Sequence, residues 1–263
     1  MVVMVEQINR DIAALEEKVK VIATELENAY ISYLTALGQG VSKQLMLATY
    51  HLCTQGYPQE FVRLSMSQRQ QLQQEIRQLT QQAAAQLLRH TQTEDSLEFS
   101  FLAEEETAPI SFSDPVELMK WQFQVENAIA HTLKTLSSKT NSVLQKAEIL
   151  PNNLPLAPLL EAATSASDGA PEMMSGSSPN LLNLLIETDS DSESSESHVT
   201  HIIAIHLRLI EIEFADTTVR AKRNQIRSIS GKVGKLEREY QKKQRERDVA
   251  QAEAAWRASW FES

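Results

Sequence analysis

Two stretches of the chain repeat their apolar residues at alternating spacings of three and four. Val5, Ile8, Ile12, Leu15, Val19, Ile22, Leu26, Ala29 and Tyr33 do so near the start. Ile212, Ala215, Val219, Ile226, Ile229, Val233, Leu236 and Tyr240 do so near the other end, with Lys222 the one charged residue in the register. A period of 3.5 residues keeps one seam on one side of a slightly underwound helix. Each stretch is therefore shaped to meet another helix along about 43 Å, at 1.5 Å per residue, rather than to enclose a substrate. The fold class that follows is all-α: an elongated antiparallel helical bundle with long coiled-coil N- and C-terminal helices and a disordered acidic linker. The two seams pair either with each other in one chain or each with its copy in a homodimer, and the residues leave both geometries open.

Composition agrees with that class. Only 7 Gly and 8 Pro occur in 263 residues, and 42% of the residues are hydrophobic, enough for a helical core. The opening MVVMVEQINRD is too short for a signal-peptide core, and no stretch approaches the roughly 18 apolar residues of a membrane helix. A cytoplasmic location is expected. The single Cys53 lies in an apolar run and is expected to be an inert buried thiol.

Punctuation divides the chain further. The first helix is expected from about Val3 to Thr54, with Gly38 and Gly40 marking a break, a kink or a close helix crossing. The run Gln55, Gly56, Tyr57, Pro58 stops it. A capping box at Ser65 to Gln68 opens the second helix, which carries Leu72, Ile76, Leu79, Ala83 and Leu87 on one stripe to about His90. Asp114 as N-cap and Pro115 in the first turn open the third, which runs to about Leu150. Leu97 to Phe101 and Ile110 to Phe112 alternate as a small hairpin would. Residues 151–197 carry Pro, Ser and an acidic run at 188–196, the composition of a disordered linker. Inside it Leu181, Leu182, Leu184, Leu185 and Ile186 form an apolar island, read as a partner-binding motif or a turn of helix on the bundle. The last helix is expected to start near Ser197, although Ile203, Ile205, Leu207 and Leu209 alternate as in a strand. The domain reading is thus a bundle at 1–150, a linker at 151–197 and a C-terminal coiled-coil helix at 198–263.

Charge is distributed unevenly. Between Arg220 and Arg247 stand eleven Lys or Arg against three Glu, net +8 in a chain of net −10. Arg220, Arg223, Arg227, Lys232, Lys235, Arg238, Lys242, Lys243, Arg245 and Arg247 form the candidate interaction surface. Such a helix is read first as a solvated or protein-facing coil face, then as a contact for nucleic acid or an anionic membrane. Trp256, Trp260 and Phe261 are candidate docking residues, expected to cover themselves on the bundle, on a second subunit or at a lipid interface, with protein preferred.

Catalytic and metal templates do not fit. His198, His201 and His206 have mixed spacing, Glu104, Glu105 and Glu106 are adjacent rather than opposed, and Gly231 to Lys235 lacks the spacing of a phosphate loop. Neither catalytic, cofactor-binding nor metal-ligating residues are expected, and no cofactor. The segments ATYHLCTQGYP (48–58) with SQRQQL (67–72), and NQIR (224–227), EYQKKQRE (239–246) and AAWR (254–257), resemble uncharacterised coiled-coil proteins of cyanobacteria. That resemblance implies a bacterial cytoplasm and carries no activity or site residue with it. The expected function is a non-catalytic scaffold or adaptor working through coiled-coil contacts with protein partners, with a homodimer possible. The alternative is a module binding nucleic acid or an anionic membrane through the basic C-terminal helix.

Overall fold

Helix N-termini are set where side chains satisfy the orphan amides. The Gln68 amide donates to Ser65 Oγ at 3.3 Å while the Ser65 amide donates to Gln68 Oε1 at 2.8 Å, the reciprocal pair expected of a capping box. Asp114 Oδ1 accepts from the Val116 amide at 2.8 Å, and Asp216 Oδ1 accepts from Thr218 and Val219 at 2.9 and 3.3 Å. These caps belong to a computed structural model that describes residues 2–91, 112–152, 158, 178–188 and 198–260. The helices are α1 (Val2–His51), α2 (Pro58–Arg63), α3 (Met66–Arg89), α4 (Pro115–Lys146), α5 (Leu209–Ala215) and α6 (Thr217–Trp260), with a π-helical turn at Leu52–Gly56. The fold is an all-α bundle carrying one small antiparallel sheet of β1 (Leu181–Thr188) and β2 (His198–Ile205). The expected hairpin at 97–112 falls, apart from Phe112, outside the described residues.

The chain divides into two units drawn from discontinuous stretches, 1–33 with 88–128 and 221–263, and 34–87 with 129–220. The long helices α1 and α4 each contribute to both units. In the first unit, Ile8, Ile12, Leu15, Val19 and Leu26 of α1 are buried, as are Leu118, Trp121 and Val125 of α4 and Ile226, Ile229 and Val233 of α6. Lys243 pairs with Asp11 at 3.1 Å and Lys232 with Glu25 at 3.1 Å, so α1 and α6 run antiparallel. Of the two geometries the seams allow, this structure takes pairing within one chain.

In the second unit Gly38 and Gly40 lie inside an uninterrupted α1. A Cβ on Gly38 would stand 3.0 Å from Ala84 Cβ and one on Gly40 3.2 Å from Val219, so the pair marks a close helix crossing rather than a break. α4 ends at Lys146, earlier than expected. Glu148 takes a positive φ of 57°, and the Ile149 amide turns back to donate to Leu144 O at 3.0 Å.

The sheet corrects two expectations. The island at Leu181 to Ile186 is not a helical turn but part of strand β1, and the last helix does not begin near Ser197. Leu181 pairs with Ile205, and the ladder continues to Thr188 opposite His198. Ile202, Ile203 and Ile205 are β-branched, stiff at χ1 and suited to a pleat, which outweighs the helical reading of this stretch. The rest of the expected linker, apart from 151, 152, 158 and 178–180, lies outside the described residues.

Side chains take the place of a third strand along β2. The Ile203 amide donates to Tyr57 Oη at 3.0 Å, Asn141 spans both main-chain groups of Ile205 at 2.9 Å each, and just beyond the strand the Leu207 amide donates to Ser137 Oγ at 3.0 Å. Residues two apart face the same edge, and each finds a partner. Asn141→Ala would orphan a buried donor and a buried acceptor at about 1–3 kcal/mol each. Urea denaturation should show a loss of at least about 2 kcal/mol, and Asn141→Asp should lose no less, because it buries a carboxylate against the Ile205 carbonyl oxygen.

His206 follows directly. Burial, then the nearby Arg208 charge, lowers its pKa below 6.5, so the folded chain holds it neutral while the unfolded chain takes up a proton. Stability is then complete above about pH 6.5 and declines as pH falls toward the depressed folded value. Denaturation midpoints at neutral and mildly acidic pH should differ less in His206→Gln than in the native chain.

Candidate functional site

The ten basic residues expected to form one surface split into groups with different surroundings. Arg223 lies on the side of α6 that meets α1 and α4. Its side chain is 12% exposed, its guanidinium sits 4.8 Å from the Tyr33 ring centroid, and it grips Glu126 with both terminal nitrogens, Nη2 to Oε2 at 2.8 Å. Tyr30 Oη donates to the same carboxylate at 2.6 Å, and the Tyr30 ring packs edge-on against Trp121 at 5.4 Å. Burial by itself would raise the Glu126 pKa, but the bonds from Arg223 and Tyr30 outweigh it and the carboxyl is held below its ordinary value. The Tyr30 hydroxyl is driven well above the usual tyrosine range, by burial first and by the Glu126 carboxylate next. Three helices are thus tied at one point. The sequence reading missed Tyr30 and Glu126, and only the aromatic at the edge of the α1 seam hinted at them.

Lys232 and Lys243 also turn inward, to Glu25 and Asp11. Arg247 lies 3.7 Å from Asp248, and Arg220 belongs to the second unit. The remaining five are different. Counting the seam residues Val219, Ile226, Val233 and Tyr240 as position a, Arg227 falls at b, Lys235 and Lys242 at c, and Arg238 and Arg245 at f. These are the outward positions. All five are exposed, and none forms an ion pair among the described residues. The other outward positions between them are Ser228, Gly231, Gly234 and Gln241, and both glycines face open space.

The same outward line continues through Val249 and Trp256 at position c. Trp256 and Trp260 are 66% and 68% exposed, and their rings contact each other at 5.7 Å with planes tilted by 47°. The expected cover from this chain's own bundle is not there: all of 251–260 is exposed, while Phe261 lies outside the described residues.

Elsewhere in the first unit, Met119 and Phe123 of α4 are exposed beside Glu237 and Gln241 in an open groove of about 570 Å³. In the second unit Ile210 and Phe214, one turn apart on α5, are 74% and 77% exposed. Cys53 is buried, and burial pushes its thiol up to about 12, far from a reactive thiolate. Of the leucine island, Leu181 is buried and Leu182 and Leu184 are half-buried in β1, whose strand also holds Leu185 and Ile186. No group of three His, Cys, Asp or Glu able to hold a metal occurs among the described residues. No protein-family model, curated protein or solved structure matches the chain.

Proposed function

We propose that this protein is a non-catalytic cytoplasmic scaffold or adaptor that acts through protein–protein contacts. The observation that carries the reading is the pair Ile210 and Phe214, two large apolar side chains left in water on the same face of α5. A core helix of this length would turn such residues inward; their exposure suits an apolar surface on a partner. A single buried Cys53 thiol fits a reducing compartment.

The test is the double substitution Ile210→Ser with Phe214→Ser. Both positions are exposed, so helicity and melting midpoint should stay close to those of the native chain. Capture of partners by the immobilised full chain should persist at high ionic strength and disappear in the double variant. Capture that is unchanged by the substitutions, or that collapses on adding salt, contradicts the reading.

A further inference from the structure

The outward face of α6 in the first unit joins five exposed cations to two exposed indoles on one continuous helix. Arg227 to Trp260 spans about 50 Å at 1.5 Å per residue. Asp248 is the one acid at an outward position between Arg227 and Val249. The carboxylates of α1 that reach α6 are Asp11, Glu16 and Glu25, and they meet Lys243, Tyr240 and Lys232 rather than the outward row. Beside that row runs a groove of about 520 Å³ whose lining mixes Lys242, Lys243 and Arg245 with Asp11, Glu246 and Glu253, so the cations that select an anion are those of the outward row itself.

We propose that this face is a docking surface for an anionic lipid bilayer, with Arg227, Lys235, Arg238, Lys242 and Arg245 against acidic headgroups and Trp256 and Trp260 seated at the headgroup boundary. The inference goes beyond the scaffold reading and stands on different residues. Charge complementarity selects an anionic occupant, and the arrangement selects lipid. Indoles, with an apolar body and a polar N–H, settle at the boundary between acyl chains and water. Here they stand together at one end of the row rather than alternating with the charges, as stacking on nucleic-acid bases would require. Their rings already pack on each other, and Tyr240, the aromatic inside the basic stretch, is buried on the seam. A duplex could follow the cations but would leave both indoles in water. No helix among the described residues is long and apolar enough to cross a membrane, so the contact is peripheral.

Sedimentation of the full chain with vesicles tests this. Vesicles of phosphatidylcholine mixed with phosphatidylglycerol should carry the protein down at low salt, pure phosphatidylcholine should not, and duplex DNA should compete weakly. Charge reversal at Arg238, Lys242 and Arg245 to Glu should weaken partitioning by at least about a hundredfold, since each surface cation near an anionic leaflet contributes about fivefold. Trp256→Ser with Trp260→Ser should weaken it by about tenfold. The emission lost in that double variant should be water-like in the native chain and shift to the blue on adding anionic vesicles. All the substituted positions are exposed, so the fold is not at risk. The proposal is overturned if anionic vesicles fail to bind, if both variants bind as the native chain does, or if DNA binds more tightly than vesicles. It is likewise overturned if the two indoles already emit in the blue without lipid and the chain self-associates, since a second copy then covers the face.

Discussion

Replacing Arg223 by Ala should lower the unfolding free energy by about 2–3 kcal/mol, the cost of leaving a part-buried carboxylate, 29% exposed, without its two-pronged partner. Glu126 sits at the meeting point of α1, α4 and α6, accepting from Arg223 and Tyr30, and water cannot fully replace a bidentate partner there. Guanidinium titration at neutral pH measures the loss. The effect should shrink in acid: the folded Glu126 pKa lies below 4.5, so its stabilisation is present above about pH 4.5 and lost as pH falls through the folded value. Substituting the whole cluster with apolar side chains, Glu126→Leu, Arg223→Met and Tyr30→Phe together, should recover most of the stability. Buried ion pairs are strongly missed when half-removed but are replaceable as a unit. A single Arg223→Ala loss under about 1 kcal/mol would mean the pair is solvated.

The second large effect belongs to the seams. Ile226 is 1% exposed, and Asp there places a charge on the buried apolar seam of α6. Ile226→Asp should cost about 4 kcal/mol or more and lower helicity and melting midpoint together, and Ile12→Asp should behave similarly. Val21 lies on the solvent side of α1, so Val21→Asp should change stability by no more than about 0.5 kcal/mol. Equal melting curves for Ile226→Asp and the native chain would remove α6 from the core.

What could be read in advance depended on how many residues repeat one message. Ile8, Ile12, Leu15, Val19, Leu26 and Ala29 all lie buried where a 3.5-residue period puts them, because one helix face carries the burial of many turns. Ser65, Asp114 and Gly56 were legible for a local reason: caps and stops act within a turn. The strands were not. Leu181 to Ile186 is too short for periodicity to separate strand from helix, and its partner begins at His198, across a gap in which nothing announces pairing. Asn141 and Tyr57 satisfy an edge whose existence had first to be known. The basic stretch was visible as a count of charges but not as a partition. Seam-flanking Arg223 and Lys232, and Lys243 on the seam line, turn toward carboxylates that only the packing reveals, whereas outward Lys235, Arg238, Lys242 and Arg245 do not.

The outer faces assigned to partners and to lipid are free only if α1 and α6 satisfy each other within one chain. A carbodiimide joins a carboxylate to an amine at ion-pair distance, and Asp11 with Lys243 and Glu25 with Lys232 each stand 3.1 Å apart. Cross-linking an equal mixture of isotopically light and heavy full-length chains, followed by peptide mass analysis, reads the pairing directly. Pairing within one chain predicts both cross-links in a product of monomer mass, with light joined to light and heavy to heavy. Cross-links joining light to heavy in a dimer, or the absence of both, would contradict it.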